Sequence, residues 1–116
     1  MGESPRVAQS SAMSDAAHRL REVAIDRALR GPGSASVEAR RAAFDNTGVD
    51  VRARALIDKV ARSAWKVTAA DIAAAKAAGL SEDEIFELVV CAAFGQSSRQ
   101  LHAALSALDA ATGGTR

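Results

Sequence analysis

Apolar residues recur at three- and four-residue spacing through most of this chain, the period of helices packed along one side. Between Ser14 and Arg30, Ala17, Leu20, Ala24 and Ala28 share a face with Leu29 beside them, while Arg19, Glu22, Asp26, Arg27 and Arg30 fill the opposite side. Gly31-Pro32-Gly33 ends that helix, because proline cannot continue it and glycine accepts the turn. A short second helix starts at Ser36, an N-cap with Glu38 in its first turn, and fades by Asn46-Thr47-Gly48. Its apolar content is thin: Val37, Ala42, Ala43 and Phe44. A third helix runs from Val51 to Trp65, with Ile57, Val60–Ala61 and Ala64–Trp65 at helical intervals. Thr68 with Asp71 is a capping-box variant that opens a fourth helix, and Gly79 closes it.

Ser81 with Glu84 is a full capping box, and it opens the fifth and longest helix. Glu82, Asp83, Glu84 and Glu87 crowd its positive end. Beyond them, Ile85 to Phe94 is almost unbroken apolar sequence, and a helix apolar all round must be covered on every side. One short chain has little material for that, so partner subunits are the expected cover, with Ile85, Phe86, Val89, Val90 and Phe94 as interface candidates. Gly95 to Ser98 are small or polar, after which Leu101, Leu105 and Leu108 resume a stripe.

Composition agrees with the pattern. Alanine fills 28 of the 116 positions and aromatics only 3%, which favours helices over a sheet. The expectation is an all-α single domain of about five helices over residues 14–110, with a flexible tail at 1–13 and a frayed end at 111–116. Residues 1–66 carry 12 basic and 8 acidic side chains, net +4, whereas residues 67–116 carry 3 and 6, net −3. The formal total is +1, so attraction between the halves is a better use of charge than steering an outside polyanion.

Several chemistries are excluded. No apolar run reaches the roughly 18 residues that span a bilayer and no signal peptide is visible, so the cytoplasm is the default expectation. Residues 71–90 mimic a helix-turn-helix, yet the second helix opens Ser81-Glu82-Asp83-Glu84 and no Arg or Lys occurs between Lys76 and Arg99. DNA would repel it, and no nucleic-acid partner is expected. The lone Cys91 lies inside the apolar stretch and reads as a small hydrophobe. His18 and His102 lack a second ligand at metal spacing, and Ser98, His102 and Asp109 on one helix cannot form a triad. No catalytic residue, metal or cofactor is assigned. Trp65 and Asp71 flank a tight turn. They read either as a core anchor and a capping carboxylate, or as the lining of a ligand cleft between helices.

The run Ala74-Ala75-Lys76-Ala77-Ala78-Gly79-Leu80-Ser81-Glu82-Asp83-Glu84-Ile85, followed by the small-residue helix Val89-Val90-Cys91-Ala92-Ala93, carries a resemblance. From about Asp50 to Ala110 the chain resembles the alkylhydroperoxidase D and carboxymuconolactone decarboxylase superfamily. The resemblance implies an all-helical homo-oligomer, commonly a trimer or hexamer. Redox members place a Cys-x-x-Cys pair, a histidine four residues further on, and an upstream glutamate ahead of the same turn. Those positions fall here on Ala64, Val67, Asp71 and about Arg52, so the dithiol chemistry is absent. The resemblance therefore implies a non-redox interaction or accessory protein. The alternative is a small-molecule enzyme or binder of decarboxylase or lactone type, using the cleft near Trp65 and Asp71.

Overall fold

The computed structural model describes the backbone of residues 5–113 and the side chains of residues 14–113. Its elements are α1 (Pro5–Arg30), α2 (Val37–Asp45), α3 (Val51–Ser63), a 3₁₀ turn at Ala64–Lys66, α4 (Ala69–Ala77) and α5 (Glu82–Ala111). Among the described residues there is no strand, so the all-helical expectation holds. Helix α1 begins at Pro5 rather than Ser14: proline suits a first helical position, and nothing between Pro5 and Ser14 breaks a helix. Residues 1–4 and 114–116, within the expected tail and frayed end, lie outside the described residues.

Helix α5 is the spine. Leu88, Cys91 and Ala92 are buried along its inner side, where they meet Ile57 and Val60 of α3, Ala43 of α2 and Leu29 of α1 in one cluster. Helix α1 lies antiparallel to it. The Arg21 guanidinium donates to Ser98 Oγ at 2.8 Å, the Cys91 thiol to Ala28 O at 3.4 Å, and the Ser34 and Ala35 amides to the Glu87 carboxylate at 2.9 and 2.8 Å. The contacting face of α1 is set by Ile25 and Leu29, and Leu20 points outward. The alanine stripe expected to face inward lost to this i, i+4 pair, which offers more area to bury.

Helix α2, thin in apolar residues, is nevertheless wedged between α1 and α5. Two backbone devices allow this. A Cβ on Gly95 would stand 1.8 Å from the Phe44 carbonyl oxygen, so only glycine permits α2 and α5 to come this close. Arg40, only 4% exposed, donates to Ala28 O at 3.2 Å, Gly31 O at 2.7 Å and Ser36 O at 3.4 Å. It thereby satisfies carbonyls at the end of α1 that have no helical partner. At its other end α2 stops at Asn46, whose φ of 52° is left-handed and whose amide returns to Ala42 O and Ala43 O. Arg99 of α5 adds a 2.7 Å bond to Phe44 O.

Both capping boxes form. Ser81 Oγ accepts from the Glu84 amide at 3.1 Å, and Glu84 accepts from the Ser81 amide at 3.0 Å. Asp71 accepts from the Thr68 amide at 2.8 Å. Of the ion pairs among the described residues, Lys59–Asp71 at 2.9 Å is the one that joins the basic and acidic halves; the others are local.

Candidate functional site

Trp65 is 82% exposed. The expectation of a core anchor is therefore corrected, and the cause lies in the backbone. Helix α3 buries Ala53, Leu56, Ile57, Val60 and Ala61, but after Ser63 the chain tightens into a 3₁₀ turn with three residues per turn. The backbone leaves helical angles at Ser63, with φ −153° and ψ 58°, before that turn, and this break carries Trp65 off the α3 stripe and out over the surface, with Lys66 Nζ 5.0 Å from its ring centre. There it lines a shallow cavity of about 310 Å³ whose α5 wall is Ala93, Gln96, Ser97 and Gln100.

Asp71 is not among the residues around that cavity. Both of its oxygens are engaged: Lys59 Nζ lies 2.9 and 3.0 Å away, and the Thr68 amide and hydroxyl donate to Oδ2 at 2.8 and 3.1 Å. The Lys59 ammonium first, and the Thr68 amide after it, hold this carboxyl below the usual carboxylate range. Asp71 thus acts as a cap and a brace between α3 and α4. The structure does not bring the two cleft candidates together.

Cys91 is 1% exposed, and its thiol donates to Ala28 O. Burial pushes its pKa up, with Arg40 opposing and Glu87 adding to the rise. A thiol kept protonated and out of water is a poor nucleophile. Ser98 is tied to Arg21, while His102 and Asp109 are exposed further along α5. Among the described residues no cluster of His, Cys, Asp and Glu could hold a metal ion, and no helix is long and apolar enough to cross a membrane.

A groove of about 570 Å³ runs along α3, its lining mixed between Val49, Val51 and Ala55 and the polar Asn46, Arg54, Asp58 and Arg62. Its charges are already matched: Asp58 accepts from Arg62 at 2.7 Å and Asn46 at 3.2 Å, and Arg54 donates to Val49 O at 3.2 Å.

The interface candidates divide. Ile85 is buried in the chain's own core, which removes it from any docking surface; its neighbour two turns on, Ala92, is buried likewise. Val89, Val90 and Phe94 are half-buried, and Phe86 is 69% exposed. The chain therefore sheathes one side of the apolar segment and leaves the other open. Sequence reasoning missed Arg40 and Glu87, the two charged side chains that fix the α1–α2 loop. A cue was present, since Arg40 follows a Gly-Pro-Gly helix stop whose carbonyls need donors.

No family model, no curated protein and no solved structure matches the chain.

Proposed function

We propose that this protein is a homo-oligomeric, non-redox member of the carboxymuconolactone decarboxylase and alkylhydroperoxidase-like superfamily, acting by interaction or as an accessory subunit. The observation that carries the reading is the unsheathed side of α5, where Phe86 stands in solvent while Ile85 beside it is buried. Two further features support it. The positions that would carry the dithiol hold Ala64 and Val67, and the remaining thiol, Cys91, is buried and raised in pKa. The position that would carry the relay histidine is Asp71, which is spent on a cap and an ion pair.

Light scattering at micromolar concentration tests the assembly, with a mass well above the protomer's 12.0 kDa expected. A protomer mass overturns it. Thiol-dependent hydroperoxide turnover that disappears in Cys91→Ser overturns the non-redox assignment.

A second reading rests on the cavity beside Trp65: a small-molecule enzyme or binder. A thermal-shift screen with small acids and lactones then raises the melting temperature, and Trp65→Ala removes the rise. Since Asp71 lies outside that cavity, Asp71→Ala lowers stability with or without ligand.

A further inference from the structure

The open side of α5 is longer than the apolar segment that first drew notice. At about 100° per residue, Phe86, Val90, Leu101 and Leu108 fall within one stripe roughly 120° wide, with Leu105 at its edge. Phe86, Leu101, Leu105 and Leu108 are 69%, 43%, 55% and 58% exposed. The stripe spans about 33 Å at 1.5 Å per residue. No formal charge lies on it. Glu87 is turned to the Ser34 and Ala35 amides, and Arg99 is turned to Phe44 O. A solvated helix face in a chain that is 25% charged would not be expected to stay so bare.

We propose that this stripe is the seat of a second copy of the same helix, packed antiparallel about a two-fold axis at Ser97. This inference rests on the assembly reading above and names its surface. Ser97 is the midpoint between Phe86 and Leu108, the two ends of the stripe. Antiparallel pairing about it sets large residues against small ones. Val90 meets Ala104 of the other copy and Leu101 meets Ala93, while at the two ends Phe86 and Leu108, both large, cover each other. At the crossing the two serines present only small side chains, and each Ser97 hydroxyl is already bonded to Phe94 O of its own helix at 3.0 Å. A surface that is self-complementary about its own midpoint is what an isologous contact requires.

Trp65 strengthens the assignment. It stands across the cavity from Ala93, Ser97 and Gln100, beside the crossing, where a large exposed aromatic contributes most to an interface. With Phe86 and the three leucines, it exposes on the order of 600 Å² per copy, most of the ~800 Å² per partner that a stable interface needs. A partner recognised by charge, such as a nucleic acid or an anionic membrane surface, finds no handle on this face.

The test uses Ser97→Glu, with Leu105→Lys as a second variant on the part of α5 beyond the core. Trp65 is the single tryptophan and reports the interface directly. The wild type is expected at an even multiple of 12.0 kDa with blue-shifted tryptophan emission. Each variant is expected to keep wild-type far-UV circular dichroism, lose half the mass or more, and shift its emission to the red. If Ser97→Glu fails to fold, Leu105→Lys decides. An oligomer whose mass and emission survive both substitutions overturns this surface and leaves assembly standing, as does a wild-type trimer. A wild-type protomer mass overturns both.

Discussion

Gly95→Ala is a substitution whose sign separates two pictures of the fold. At an ordinary helix position, replacing glycine by alanine stabilises by about 1 kcal/mol, because the unfolded chain has less freedom to lose. Here the new Cβ would lie 1.8 Å from Phe44 O, 2.7 Å from Phe44 C and 3.0 Å from Phe44 Cα. All three are backbone atoms and cannot rotate aside. Restoring van der Waals distance to the oxygen requires α2 to retreat by roughly 1.5 Å. That retreat loosens Ala43 against Ala92, both fully buried, and stretches the 2.7 Å bond from Arg99 to Phe44 O. Overpacking of this kind costs about 1–3 kcal/mol and more where the obstacle is rigid, and the opened gap adds a cavity term. Less the propensity gain of about 1 kcal/mol, overpacking alone leaves a loss of up to about 2 kcal/mol and the cavity term adds to it, a large share of the ~5–15 kcal/mol stability of a typical domain. Urea denaturation followed by far-UV circular dichroism measures it, with Ala103→Gly, exposed on α5 and off the outer stripe, as the control costing about 1 kcal/mol. A Gly95→Ala protein as stable as the wild type, or more so, would mean that α2 and α5 do not touch through their backbones at this point.

Arg40→Met keeps the bulk of the side chain and removes its donors, leaving the Gly31 and Ala28 carbonyls unpaired by it. It should cost about 1–3 kcal/mol by chemical denaturation and speed hydrogen exchange at the end of α1. Asp50 is held at about 2 by the Arg52 side chain first and the Arg52 amide next. Its folded pKa lies below the ordinary value of 3.8, so its contribution is full above about pH 4 and is lost as pH falls toward 2. Asp58, Asp71, Glu82 and Glu84 shift in the same direction, so unfolding should begin on the acid side of pH 4, and Asp50→Asn should make that acid limb shallower. An NMR titration placing the Asp50 midpoint near 4 would remove the basis for this. Cys91 should resist thiol reagents in the folded protein and react at once in denaturant; prompt labelling under native conditions would contradict its burial.

The helices were legible because their boundaries are chemical. Ser36 and Ser81 each accept an amide hydrogen bond at the start of a helix, and their residue types announced it, while Asp50 caps α3 in the same way without having been read as a cap. Which side of a helix faces inward was harder to read. In α1 four alanine and leucine positions outnumbered Ile25 and Leu29, yet the pair with more area per residue took the core. Trp65 failed for a different reason: the backbone breaks from helical angles at Ser63 before the 3₁₀ turn, and no residue type marks that break. Arg40 and Glu87 escaped because their partners are backbone groups, nearby for Arg40 and more than fifty residues away for Glu87, and apolar periodicity does not register such bonds. The candidate site suffered most, since Asp71 was legible as a cap and that is how the fold uses it.

Gly95 and Ser97 are two residues apart and therefore roughly 160° apart around α5, close to opposite sides. Gly95 lets a helix of the same chain approach to backbone contact, and its cost in helix propensity is offset by the packing of α2. Ser97, between Val90 and Leu101 on the stripe, is small and exposed on a side where the same chain leaves a cavity between it and the turn carrying Trp65. A surface serine needs no such surroundings, and solvated helix faces are usually charged. The pairing of a small residue with large apolar neighbours is what makes the core side of α5 close-packed, and the second copy proposed above would meet the same pairing on the outer side. If charge can be introduced at Leu101 with no effect on mass, stability or Trp65 emission, the outer stripe is merely tolerated by solvent, and the likeness between the two sides of the helix has no physical meaning.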